Sequence, residues 1–192
     1  MIFLGADHRG YELKEKIKKY LISKNFEVKD CGTDSKEIAH YPIIATEVCK
    51  KMDKEKDKAI LICGSGIGMS MVANKFKGVR AGICTSVMAA KDGKEHSNLN
   101  VLVLPGDFIS FDDAIEVVDT WLESEFLNGR YLERLNMIKE IEKENEEDYT
   151  FDNSVEVVID IEPVLTNENK YMWHYEVLGK GLSNNGDMYD LS

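Results

Sequence analysis

Short apolar runs alternate with helically spaced apolar positions along most of the chain. Ile2–Leu4 is a run of strand type. Leu13, Ile17, Tyr20 and Leu21 then recur at the spacing of one helix face, which predicts a helix over Tyr11–Ser23. A second strand opens at Phe26–Val28 and ends at Cys31-Gly32-Thr33, and Pro42 suits the first turn of a helix reaching about Met52. Ala59–Ile62 is apolar without alternation, the pattern of a strand covered on both faces. A helix through Val72 and Ala73, a strand over Val79–Cys84, a helix around Met88–Lys94 and a strand over Val101–Leu104 follow. Ser110 reads as the N-cap of a helix over Asp112–Phe126. A last, charged helix starts near Arg130 and fades into Lys143-Glu144-Asn145-Glu146-Glu147-Asp148.

Strands separated by helices predict βαβ units. The expected fold is therefore α/β: a doubly wound, Rossmann-like, five-stranded parallel sheet with helices on both faces. Ligands of such sheets bind at the carboxyl ends of the strands. That edge collects Asp7 and His8 after the first strand, Cys63 after the third and Thr85 after the fourth.

From Phe151 the pattern changes. Val155, Val157, Ile159 and Ile161 alternate with acids, and Tyr171, Trp173, Tyr175 and Val177 alternate again after the polar turn Thr166-Asn167-Glu168-Asn169. Period two predicts a β-hairpin. The division expected is a main domain over 1–148 and an acidic extension over 149–192. From Phe151 on, eight acidic residues face only Lys170 and Lys180, so this segment carries over half of the net charge of −11.

That acidity argues against nucleic acid and anionic membrane as partners, since both require clustered Lys and Arg. An anionic small molecule needs local cations to reverse the field at its site. Cys31, Cys49, Cys63 and Cys84 form no CxxC pair, no apolar stretch reaches spanning length, and the apolar N-terminal run is too short for a signal peptide. The expectation is a cytoplasmic protein with free thiols.

The chemistry concentrates at Ile62-Cys63-Gly64-Ser65-Gly66-Ile67-Gly68-Met69-Ser70. A cysteine at a strand end is commonly just a small buried hydrophobe. The adjoining Gly64, Gly66 and Gly68 let the backbone approach a ligand and offer a nest of N–H donors for a phosphate or oxyanion. A Cys-based phosphatase needs an arginine six positions on, where Met69 stands, and a dinucleotide fold needs G-x-G-x-x-G after the first strand. His8 and His96 read as either structural or functional, and neither shows metal-ligand spacing with a cysteine or carboxylate. Arg130 and Arg134 share one helix face, as solvated charges or as a phosphate clamp.

Taken together, Gly5-Ala6-Asp7-His8-Arg9-Gly10, Tyr41-Pro42, Cys63-Gly64-Ser65-Gly66-Ile67-Gly68-Met69-Ser70, Ala73-Asn74-Lys75, Arg80-Ala81, His96 with Asn100-Val101-Leu102, and Gly129-Arg130 with Arg134 resemble the type B ribose-5-phosphate isomerases, which are grouped with the galactose-6-phosphate isomerase subunits. The likeness spans about residues 1–145 and leaves the C-terminal segment outside. It implies an aldose–ketose isomerase of pentose phosphate metabolism that works through a cis-enediolate with no metal or other cofactor. Cys63 would be the base, and Ser65 with the amides of Gly64, Gly66 and Gly68 would hold the enediolate oxygens. Asp7 and Tyr41 would hold sugar hydroxyls, Asp7 also helping catalysis at ring opening, with Ser70 and Asn100 among the substrate contacts. His96 would help ring opening, supplied by the partner subunit of a homodimer or dimer of dimers. His8, Arg130 and Arg134 would bind the phosphate, so that thiol, nest and cations share one edge. Ser97, His40, Asp107 and Tyr131 stand where the family pattern usually has Asn, an acid, Arg and His. The cysteine loop favours ribose 5-phosphate over galactose 6-phosphate; allose 6-phosphate, or phosphosugar binding without turnover, are the other readings.

Overall fold

The computed structural model describes residues 1–148, with side chains to residue 145, and the strands 158–165 and 171–178. Five strands, β1 (Ile2–Ala6), β2 (Val28–Asp30), β3 (Lys58–Cys63), β4 (Ala81–Ile83) and β5 (Val101–Pro105), form one all-parallel sheet in the order β2-β1-β3-β5-β4. Between and after them run α1 (Tyr11–Ser23), α2 (Tyr41–Lys51), α3 (Ile67–Ala73), α4 (Val87–Ser97), α5 (Phe111–Glu123) and α6 (Arg130–Asp148). This is the doubly wound α/β fold that the pattern predicts. The helix over Tyr11–Ser23 appears with those bounds, and the strand expected over Val79–Cys84 contracts to β4.

Strand alternation splits the core into two layers. Leu4, Ile60, Ile62, Leu102 and Leu104 face Ile17, Leu21, Val118 and Trp121 of α1 and α5. Phe3, Leu61, Cys63, Val101 and Val103 face Ala45, Val48, Met69 and Ala73 of α2 and α3. Trp121 is fully buried, and its indole Nε1 donates to the Leu99 carbonyl at 3.0 Å. Ser110 caps α5 by accepting from the Asp113 amide at 3.1 Å.

The chain moves from β1 out to β2 and then returns past β1 to β3, so the winding direction reverses between β1 and β3. This is the topological switch point, where the loops diverge and leave a crevice beyond the carboxyl ends. The pairing Ala6↔Ile62 sets Asp7 opposite Cys63 across that crevice. Both follow the strand alternation that faces α2 and α3.

The chain divides into two compact units, Met1–Glu142 and Lys143–Ser192. In the second, β6 (Val158–Leu165) and β7 (Tyr171–Leu178) pair antiparallel from Val158↔Leu178 to Leu165↔Tyr171. The expected turn at 166–169 and the start of the first alternating run lie outside the described residues. Among the described residues no helix is long and apolar enough to cross a membrane.

Candidate active site

Cys63 ends β3 and is 5% exposed, against the α2–α3 layer. The next two peptides depart from the strand pattern. The Gly106 amide donates to the Cys63 carbonyl at 2.8 Å, and the Asp107 amide donates to the Gly64 carbonyl at 3.0 Å. Two successive carbonyls thus point toward the loop after β5. In a trans peptide the N–H points opposite to the C=O, so the amides of Gly64 and Ser65 both point away from that loop. Neither amide, nor that of Gly66, has an acceptor among the described residues. Adjacent amides aimed the same way form an anion nest. Gly66 closes the turn at φ 78°, a left-handed conformation that a side chain would strain, and leads into α3. Ser65 Oγ accepts from the Ile67 amide at 3.3 Å. Asn74 pins the far end of α3 to β4: its side-chain oxygen accepts from the Ala81 amide, and its Nδ2 donates to the Ala81 carbonyl, both at 2.9 Å.

Asp7 is 5% exposed, and its Oδ1 accepts from the amides of Arg9 (3.0 Å) and Gly10 (3.1 Å). This turn fixes the carboxylate at the carboxyl end of β1. His8 is held by Ala39 in the loop before α2: Nδ1 lies 3.3 Å from the Ala39 amide and 3.4 Å from its carbonyl, so either tautomer keeps the ring in place. Tyr41 begins α2 and lays its ring on Gly68, where an added Cβ would come within 2.7 Å of Tyr41 Cε2 and Cζ. Ser70 accepts from Asn74 on its carbonyl at 3.1 Å and on its Oγ at 3.4 Å. Asp7, His8, Tyr41, Cys63, Gly64, Ser65, Gly66, Gly68 and Ser70 therefore gather at one edge.

His96, Arg130 and Arg134 do not join them within the chain. α4 starts at the carboxyl edge and descends, so His96, in its last turn, sits by the amino end of β5. Cys63 is paired with Pro105, four residues beyond Val101, which puts about 13 Å of strand between His96's end of the sheet and the thiol. The Leu127 amide donates to Glu95 O at 3.0 Å and ties the start of α6 to that end. There His96 stacks on Tyr131 with centroids 4.3 Å apart, and the guanidinium carbons of Arg130 and Arg134 lie 4.9 and 5.7 Å from the same ring. The sequence reading missed Tyr131 as the platform of this cluster.

Asn100 does not join them either. It is buried at the amino end of β5, where Nδ2 donates to the carbonyls of Lys54 (3.0 Å) and Gly78 (2.8 Å) and Oδ1 accepts from the Arg80 amide (2.8 Å). It ties loops together rather than lining the site. Nor is His96 without carboxylate neighbours: one turn of α4 brings ligand atoms of Asp92, Glu95 and His96 within 4.8 Å of one another, a helical spacing that the sequence reading passed over.

The four cysteines are free thiols. Burial pushes Cys49 and Cys84 up to about 11, and burial with Glu47 nearby raises Cys31, so these three stay protonated near neutrality.

A thiol at the end of β3, a carboxylate at the end of β1 and a nest of free amides bring to one switch point the groups that acid–base chemistry on an oxyanion-forming substrate requires. The chain belongs to the Ribose/Galactose Isomerase family, whose model matches residues 2–138. It is 38% identical over 143 residues to ribose-5-phosphate isomerase B of Escherichia coli (strain K12), covering 74% of this chain and 96% of that one. Its fold matches the solved ribose-5-phosphate isomerase B of Clostridium thermocellum with a TM-score of 0.73 at 40% identity, covering 75% of this chain and 98% of the other. The Mycoplasma genitalium enzyme, solved with bound ribulose-5-phosphate, matches with a TM-score of 0.72 at 39% identity and coverage of 74% and 96%.

Proposed function

We propose that this chain interconverts ribose 5-phosphate and ribulose 5-phosphate, with Cys63 as the base. The observation that carries the reading is the Cys63 thiol set beside the outward amides of Gly64 and Ser65 and opposite Asp7. The thiolate takes the proton from C2 of the open-chain aldose, and the electron pair passes into a cis-enediolate whose two oxygens the nest holds. A proton moves between those oxygens, and Cys63 returns its proton to C1. Asp7 and Tyr41 hold sugar hydroxyls. A positioned base contributes roughly 10²–10⁴-fold and an oxyanion donor a comparable factor. The test is ketose formation from ribose 5-phosphate by the intact chain and by Cys63→Ala. Loss of at least about 10²-fold in the variant supports the assignment. No turnover by the wild type, with phosphosugar binding in a calorimeter, would make it a sensor on an isomerase scaffold. Turnover of only allose or galactose 6-phosphate would change the substrate.

The distance between the two clusters supports a composite site. His96, Arg130 and Arg134 are too far from the Cys63 of their own chain, so a second copy related by a two-fold axis brings them to it, each chain completing the other's site. His8 and the two arginines then hold the phosphate and His96 assists ring opening. Mixing Cys63→Ala with His96→Ala chains tests this. Random reassembly of dimers restores about a quarter of wild-type activity, since each mixed dimer has one intact site. No recovery after exchange refutes it. Every residue assigned a role here lies within 1–148, so a chain ending at Asp148 is expected to retain turnover; loss of turnover with the mass of a monomer would give the extension a part in assembly.

A further inference from the structure

The loop carrying the thiol is gripped by an ion pair that the proposed chemistry does not use. Arg9, in the loop after β1, spans the loop after β3 and pairs through Nη2 with Oδ2 of Asp107, in the loop after β5. Its guanidinium lies on Gly64: a Cβ there would run into Arg9 Cζ, Nε and Nη1. That is the side on which residue 64 would carry a side chain, and strand alternation puts it opposite the face taken by Cys63. Asp107 is joined to the same residue through its backbone, since its amide donates to the Gly64 carbonyl. The Gly64 peptide is thus fixed by the Asp107 amide and covered by the side chain that Asp107 holds.

We propose that Arg9 and Asp107 are positioning residues that hold the Gly64 and Ser65 amides in the orientation of the anion nest. Because the two carbonyls must face the loop after β5 for the amides to face the crevice, any slack in the Asp107–Gly64 contact turns the nest away from the enediolate. The guanidinium approaches from the side away from the thiol, so it acts through the loop and not on the sugar. Arg suits this post because its planar fork can pair with Asp107 and still lie flat on a residue without a side chain. This inference rests on the isomerase reading for its kinetic consequence but not for its structural one.

The experiment compares Arg9→Ala, Asp107→Asn and the double variant in the full chain. Asp107→Asn keeps the backbone amide and removes only the charge. If the nest is loosened, kcat falls roughly tenfold in each single variant, KM for ribose 5-phosphate stays within about threefold, and the double variant is no worse than the singles. Hydrogen exchange at the Gly106 and Asp107 amides, which hold the Cys63 and Gly64 carbonyls, accelerates about tenfold in Arg9→Ala. The exchange arm reads positioning whether or not the wild type turns over, so failure of the isomerase reading stays separate. Unchanged exchange overturns the proposal. So does unchanged kcat in a chain that turns over, and so does a rise in KM alone, which would make Arg9 a contact to the phosphate.

Discussion

Gly10→Ala tests whether the crevice depends on β1 and β3 staying in close register. Gly10 precedes α1 at φ −91°, which alanine adopts freely, so the substitution meets no backbone strain. The obstacle is space. A Cβ would lie 2.6 Å from the Ile62 carbonyl oxygen and 2.8 Å from its carbonyl carbon and Cγ2. A carbon rests on a carbonyl oxygen at about 3.3 Å, so the backbone must give by roughly 0.7 Å. Overpacking of this kind costs about 1–3 kcal/mol, and the smaller entropy of the unfolded alanine chain returns about 0.4–1 kcal/mol. The net loss of about 1–2 kcal/mol lowers the unfolding midpoint by roughly 2–8 °C. The displaced carbonyl also accepts from the Asp7 amide at 3.2 Å, and Cys63 follows it directly. Relief therefore widens the gap between carboxylate and thiol, and kcat falls roughly 10–100-fold. Circular dichroism melting and a ribulose assay measure the two effects. Gly106→Ala is the control, because its Cβ would sit 3.4 Å from the Cys63 carbonyl, an ordinary contact. A Gly10→Ala chain that melts and turns over like the wild type would refute the geometry.

Further outcomes follow from the core and the charged network. Trp121→Ala loses a fully buried indole and its bond to Leu99, so urea unfolding should show a loss of about 3–5 kcal/mol. Burial acts to raise the Asp30 carboxyl, but bonds from Lys14 (2.6 Å) and Lys18 (2.7 Å) outweigh it and hold it below the usual range. Its contribution is therefore complete above the unfolded carboxylate value and is lost as pH falls through the lower folded value. Stability measured from pH 6 down to about 2 should decline less steeply in Asp30→Asn than in the wild type. Tyr20 donates to Asp119 at 2.5 Å, and that bond, burial and the neighbouring carboxylates push its phenol up to about 12. Ultraviolet titration should show a late-ionising tyrosine that Tyr20→Phe removes, and the stability it lends is lost as pH rises from about 10 toward 12. Cys49 and Cys84 should resist alkylation at pH 8 in the folded protein, as judged by peptide mapping.

The sequence by itself determined the elements and the thiol loop. Apolar periodicity depends on local geometry, so the helix over Tyr11–Ser23 and the continuous run before Cys63 were legible without the fold. The run of glycines around Ser65 marked the close backbone approach for the same reason. Strand order was decided only in three dimensions, because β1 pairs with β3 across more than fifty residues and no local pattern encodes that choice. That order creates the switch point and sets Asp7 against Cys63. The tertiary structure also separated what the motifs had joined. The descent of α4 carries His96 to the amino end of the sheet, α6 begins beside it, and Asn100 is taken up by backbone groups there. Residue identity names the chemistry, but the direction of each helix along the sheet decides which end it serves.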